Sequence, residues 1–92
     1  MSALNEDPAS RARRYIANLT AEFEKTSTVT DDTLVKTSNI DRVTDSIRRY
    51  LQDSRHYLDQ RLATTSLASV AYAEGLLDAL IFLELAQPRI KQ

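Results

Sequence analysis

Ninety-two residues, 42% hydrophobic and 27% charged with a net charge of −1, make one small domain around a single core. The absence of Cys removes thiolate metal sites, thiol nucleophiles and disulfides, and a single His, His56, removes multi-His sites. One Gly and two Pro are too few turn residues for an all-β domain, and no Gly-rich phosphate-cradling loop is present.

The near-neutral balance argues against a general nucleic-acid or anionic-membrane binder. The opening MSALNEDPAS is polar and acidic where a signal peptide is basic and then apolar. The most apolar stretch, Leu76 to Leu85, is interrupted by Asp78 and Glu84 and is too short to span a bilayer. These signals predict a cytoplasmic protein with no membrane partner and no cofactor.

In chain order, Asp7-Pro8 is a helix start, because Asp caps free N–H groups and Pro is pre-set for the first helical position. Ala9, Ala12, Ile16, Leu19 and Phe23 then share one face, which predicts a first helix over 8–26. Residues 27–38 read as a polar connector, with Leu34 and Val35 as anchors onto the core. The second helix is predicted over 39–61, capped by Ser38 or Asn39, with Asp41 completing a capping box. Ile40, Val43, Ile47, Tyr50, Leu51, Tyr57, Leu58 and Leu62 form its apolar face. Asp45 precedes Arg49 by four residues, the favourable order for a surface pair.

The third helix is predicted over 65–86, capped by Thr64 or Thr65 and stopped by Pro88. Its apolar residues run around most of the circumference, so it either sits between two neighbours or meets another subunit. Leu76, Leu80, Phe82 and Leu83 include the surplus and form the candidate interaction surface. Three helices of matched length, about 30 Å each, predict an all-α up-and-down bundle.

Several polar residues carry candidate chemistry. Gly75 inside a helix costs about 1 kcal/mol against Ala, which predicts close packing of a neighbour there. Glu74 and Asp78 fall on a face shared with Leu67, Ile81 and Leu85, and acids there need a partner or water. A hairpin turning near residue 63 brings Arg48 and Arg49 level with Asp78, which predicts an Arg–Asp78 ion pair. The sharper alternative gathers Asp53, Glu74 and Asp78 into an oxygen-ligand site for a hard cation. Arg42, Arg49 and His56 recur every seven residues, a stripe that reads as a solvated face or, less simply, a phosphate-binding line. Arg11, Arg13 and Arg14 lie beside Glu6 and Asp7 and read as solvated. Tyr50, Tyr57 and Tyr72 read as rings at the edge of the core.

Two resemblances follow from these residues. The spacing of Arg49 and His56 is similar to the ribonuclease motif of the HEPN helical bundles, in which an arginine and a histidine of each subunit converge on RNA across a dimer. Here Tyr50 follows Arg49 where that motif prefers a small polar residue. The second covers residues 40–86. Ile47 to Leu58, followed by Tyr72-Ala73-Glu74-Gly75-Leu76-Leu77-Asp78-Ala79, resembles the archaeal domain-of-unknown-function family 357. Members often place a Gly-Asp pair between these helices, where this chain has Arg61-Leu62-Ala63-Thr64-Thr65. The resemblance implies a left-handed, up-and-down three-helix bundle and an archaeal source, and it implies no function.

The residues therefore point to a non-enzymatic module that associates with itself, as a homodimer, or with another protein. The competing expectation is a metal-dependent or HEPN-like RNA-directed enzyme using Arg49, Asp53, His56, Glu74 and Asp78.

Overall fold

The computed structural model describes residues 6–28 and 35–88. Helix α1 spans Pro8–Glu24, α2 Thr37–Asp59 and α3 Ala63–Phe82; strand β1 is Thr26–Thr28 and β2 is Ala86–Pro88. The architecture is an all-α three-helix bundle, closed at one end by a two-stranded clip.

Each helix forms where its sequence supplies a start and an apolar stripe. Asp7 caps α1, its Oδ1 accepting from the Ser10 N–H at 2.8 Å, and Pro8 occupies the first turn. The other two starts differ from expectation. Lys36 begins α2 through its backbone carbonyl, which accepts from Asn39 and Ile40, and Ser38 and Asp41 form no capping box. Leu62 begins α3 in the same way, so Thr64 and Thr65 are inside the first turn and not caps. Both helices start about two residues early, at backbone acceptors that leave no side-chain signature.

Buried stripes from the three helices meet in one core. Ile40, Thr44, Ile47, Leu51 and Ser54 come from α2, Ser66, Val70, Ala73, Leu77 and Leu80 from α3, and Ala12, Ile16 and Leu19 from α1. Fully burying a side chain such as Ile47 or Leu77 contributes about 1.5–3 kcal/mol. Near their turn α2 and α3 are joined by a buried hydrogen bond. There Ser66 Oγ donates to the Ser54 carbonyl at 2.7 Å, and Ser54 Oγ to the Tyr50 carbonyl at 2.7 Å. Both serines are completely buried, and hydroxyls this small let the two backbones close without leaving an unsatisfied polar group.

The ends of α1 and α3 depart from the predicted bounds. α1 stops at Glu24 because Thr26, Ser27 and Thr28 are poor helix formers and pair instead with residues 88, 87 and 86. α3 stops at Phe82 for the complementary reason: Ala86, expected in the helix, is buried in the clip. Val35, expected as an anchor, is exposed, and Leu34 lies outside the described residues.

Both α2 and α3 end in a Schellman geometry. Leu62 N–H reaches the Tyr57 carbonyl and Arg61 N–H the Leu58 carbonyl; Leu85 and Glu84 do the same to Leu80 and Ile81. The left-handed residue is Arg61 in one case (φ 64°) and Glu84 in the other (φ 59°). Glycine is the usual occupant, because a Cβ there costs about 1–2 kcal/mol.

Two predictions follow from these helix ends. Arg61→Gly should raise stability by about 0.5–1 kcal/mol, the left-handed cost less the extra chain entropy of Gly, measured by urea unfolding. At the other end, the Ser10 N–H holds the Asp7 carboxyl below the usual carboxylate range, and Arg14 does the same for Glu6. Because both values are lower folded than unfolded, their contribution is complete above the ordinary carboxylate range and is lost as pH falls through the depressed values. Amide protection at Ser10 and Arg11 should therefore fall on acidification before the core amides of α2 lose theirs. Equal loss everywhere would show that these carboxylates do not hold the first turn.

Candidate interaction surface

Helix α3 is apolar on almost every side, yet α1 and α2 cover only part of it. With the core side set by Ser66, Ala73 and Leu77, the opposite line at 100° per residue carries Ala68, Gly75 and Phe82. All three are exposed, Phe82 by 80%. One flank of that line bears Tyr72 and Leu83, 55% and 66% exposed, with Leu76 half-buried behind them. The other flank bears Glu74 and Asp78.

Two expectations about this helix are corrected. Gly75 is not a close-packing residue: a Cβ built on it meets no atom within 4 Å. It lies on the outward line, where neither neighbouring helix reaches. Leu80 does not belong to the exposed surface; it is 4% accessible and part of the core. Its position is three residues after Leu77 and seven after Ala73, on the inward stripe.

The Tyr72 flank faces α2 across an open groove of about 880 Å³. Its apolar floor is Val43, Tyr50, Tyr72 and Leu76, with the two tyrosine rings 4.5 Å apart and tilted by 43°. Arg42 and Arg49 stand on the α2 rim, seven residues or about 10.5 Å apart along the helix. Among the described residues neither arginine has a carboxylate within ion-pair distance. Arg49 Nη2 donates only to Ser46 Oγ, at 3.1 Å. Asp45 also lines the groove, but its Oδ1 accepts from Arg48 at 2.9 Å.

The expected Arg–Asp78 pair does not form, and neither does the expected pair between Asp45 and Arg49. Arg48 sits on the α1 side of α2, with its guanidinium over the Phe23 ring at 5.4 Å, and takes Asp45 one turn back. Arg49 points to the other side. Asp78 is half-buried and Glu74 exposed, and no ion pair reaches either among the described residues. Asp53 is exposed on α2 and does not join them: no group of three acids or His with metal-binding geometry occurs among the described residues. His56 is exposed in the last turn of α2, its Nε2 3.1 Å from Gln60 Nε2. The Arg11 and Arg14 charges are met by Glu6, with Arg14 Nη2 at 2.7 Å from Oε1.

The sequence profile of the family described as "Protein of unknown function (DUF357)" matches residues 14–86. The chain belongs to this family. The matched span takes in most of α1, all of α2 and α3 and the start of β2, so the DUF357 unit is the bundle itself. No curated protein and no solved structure matches the chain.

By length and composition α3 would pass for a membrane-crossing helix. The core helix of a bundle meets the same test, and five of its residues are buried here against α1 and α2. Sequence reasoning missed the groove because it depends on two flanks meeting. The available signal was Tyr50, at the edge of the α2 apolar face, and Tyr72, on the flank of α3.

The exposure of these residues predicts two small effects. Gly75→Ala should stabilise the fold by about 0.5–1 kcal/mol, since Ala is the better helix former and has room. Asp78→Ala should change stability by less than about 0.5 kcal/mol. Denaturant unfolding checks both; a loss of more than about 1 kcal/mol for Asp78→Ala would reveal a structural partner for that carboxylate.

Proposed function

We propose that this protein is a non-enzymatic interaction module, engaging itself or another protein through the exposed side of α3. The supporting observation is the exposure of Phe82 on the outward line of α3 together with Tyr72 and the C-cap residue Leu83 on the adjoining flank. Large apolar side chains clustered on the surface of a small domain mark contact sites, whereas isolated ones do not. Phe82 and Leu83 lie beyond the reach of the core, so the fold itself does not require them. An enzymatic reading would need the polar candidates to converge. Within one chain they do not: Arg49 and His56 stand about 10.5 Å apart along α2, Arg49 bonded to Ser46 and His56 beside the C-cap residue Gln60.

The test combines solution mass by light scattering at micromolar concentrations with binding of a hydrophobic fluorescent dye. The expected result is association, or dye binding by the monomer, with the mass unchanged by EDTA. Joint Phe82→Ser and Leu83→Ser substitution should abolish either signal while leaving the melting temperature nearly unchanged. A strict monomer that binds no dye would sink the proposal.

A further inference from the structure

We infer that the partner of the α3 face is a second copy of this chain, docked with the two α3 helices parallel about a twofold axis along their length. The inference rests on the interaction reading above and adds the partner's identity and register. Four features that the monomer leaves unaccounted for carry it: open space at Gly75, exposed Phe82 and, among the described residues, arginines without carboxylates and carboxylates without bases.

The α2–α3 groove asks for a helix that is apolar on one face and acidic along one edge. Helix α3 is itself such a helix. Its outward line is Ala68, Gly75 and Phe82, and Glu74 and Asp78 form one edge. In a twofold running along the helix axis, the left flank of one copy meets the right flank of the other. The acidic edge of each α3 then lies toward the α2 rim of its partner, where Arg42 and Arg49 stand.

The axial register agrees. Within one chain α2 and α3 are antiparallel, with Ser54 beside Ser66 and Tyr50 beside Tyr72. Stepping along both helices places Arg49 level with residue 72 and Arg42 level with residue 79. The twofold leaves heights unchanged, so the second copy's Glu74 and Asp78 come within about 3 Å and 1.5 Å of those two levels. Both pairs repeat by symmetry, giving four charge-assisted contacts. An antiparallel arrangement would instead set the two acidic edges against each other.

The contact line suits close approach. Ala68 meets Ala68 and Gly75 meets Gly75, so small residues allow the helices to approach at the short end of the usual 8–10 Å separation. Phe82 meets its own copy at the end of the line, where two rings can pack edge to face. The glycine that the isolated bundle does not need becomes the point of closest backbone approach.

The experiment uses the full chain. Sedimentation of the native protein should give a reversible dimer, and Gly75→Leu should convert it to a monomer whose melting temperature is unchanged or raised. Joint Arg42→Glu and Arg49→Glu substitution should weaken the dimer at least about tenfold, as should Glu74→Arg with Asp78→Arg. Mixing the two double variants should restore a heterodimer, which a merely structural role for these residues would not do. Because the chain has no cysteine, Ala68→Cys gives a single thiol that should cross-link to its copy under mild oxidation. A monomer up to about 100 μM overturns the inference, and if that monomer still binds the dye the interaction reading stands with a different protein as partner. A dimer indifferent to Gly75→Leu, or one that does not cross-link through position 68, overturns the parallel geometry.

Discussion

The antiparallel contact of α2 with α3 is the constraint on which the rest of the molecule depends. Three residues connect the two helices, so they must pack side by side, and the buried Ser54–Ser66 bond fixes how closely and in what register. Once that register is set, Tyr50 meets Tyr72, Ile47 and Leu77 share the core, and the α2–α3 groove has its floor. Helix α1 then covers one side of the hairpin. The clip between residues 26–28 and 86–88 ties its far end to the chain that follows α3. Three helices in a bundle enclose one stripe of each; a helix apolar around most of its circumference has surface left over. That remainder is the face of Gly75, Tyr72, Phe82 and Leu83, a consequence of composition meeting topology.

How far this was legible in the sequence differs by feature. The three helices were readable because Ile16–Leu19, Ile40–Ile47–Leu51 and Val70–Leu77–Leu80 recur at helical spacing, and periodicity reports burial directly. The start of α1 was readable because Asp7 caps with a side chain. The starts of α2 and α3 were not, since Lys36 and Leu62 cap with backbone carbonyls that any residue possesses. The end of α3 was hidden by Leu83 and Leu85, which continue an apolar pattern past the point where the clip captures the chain. Pairing between segments sixty residues apart has no local signature.

The polar residues were harder, for a physical reason. A helix-wheel argument places a side chain on a face but cannot say which of two neighbours a long arginine will choose. Arg48 chose Asp45 and the ring of Phe23, and Asp78, the acid expected to be its partner, has no base within ion-pair distance among the described residues. Arg49, one residue on, faces the opposite rim and bonds Ser46. One residue of helix turns a side chain by 100°, which here separates a core-side contact from an open groove.

The placement of glycine ties these observations together. Among the described residues two positions have left-handed backbone, where glycine is the least costly residue, and they hold Arg61 and Glu84. The chain's single glycine instead sits in the middle of α3, where it weakens the helix and where a larger residue would fit without collision. Folding alone would favour the reverse arrangement. Within the bundle this residue costs helix stability and relieves no crowding, which is the observation the proposed self-association accounts for. The same helix carries exposed Phe82 seven residues from that point, Tyr72 and the C-cap Leu83 on the adjoining flank, and its carboxylates on the other. Within the bundle, helix α3 thus keeps an outward side whose residues the core does not use.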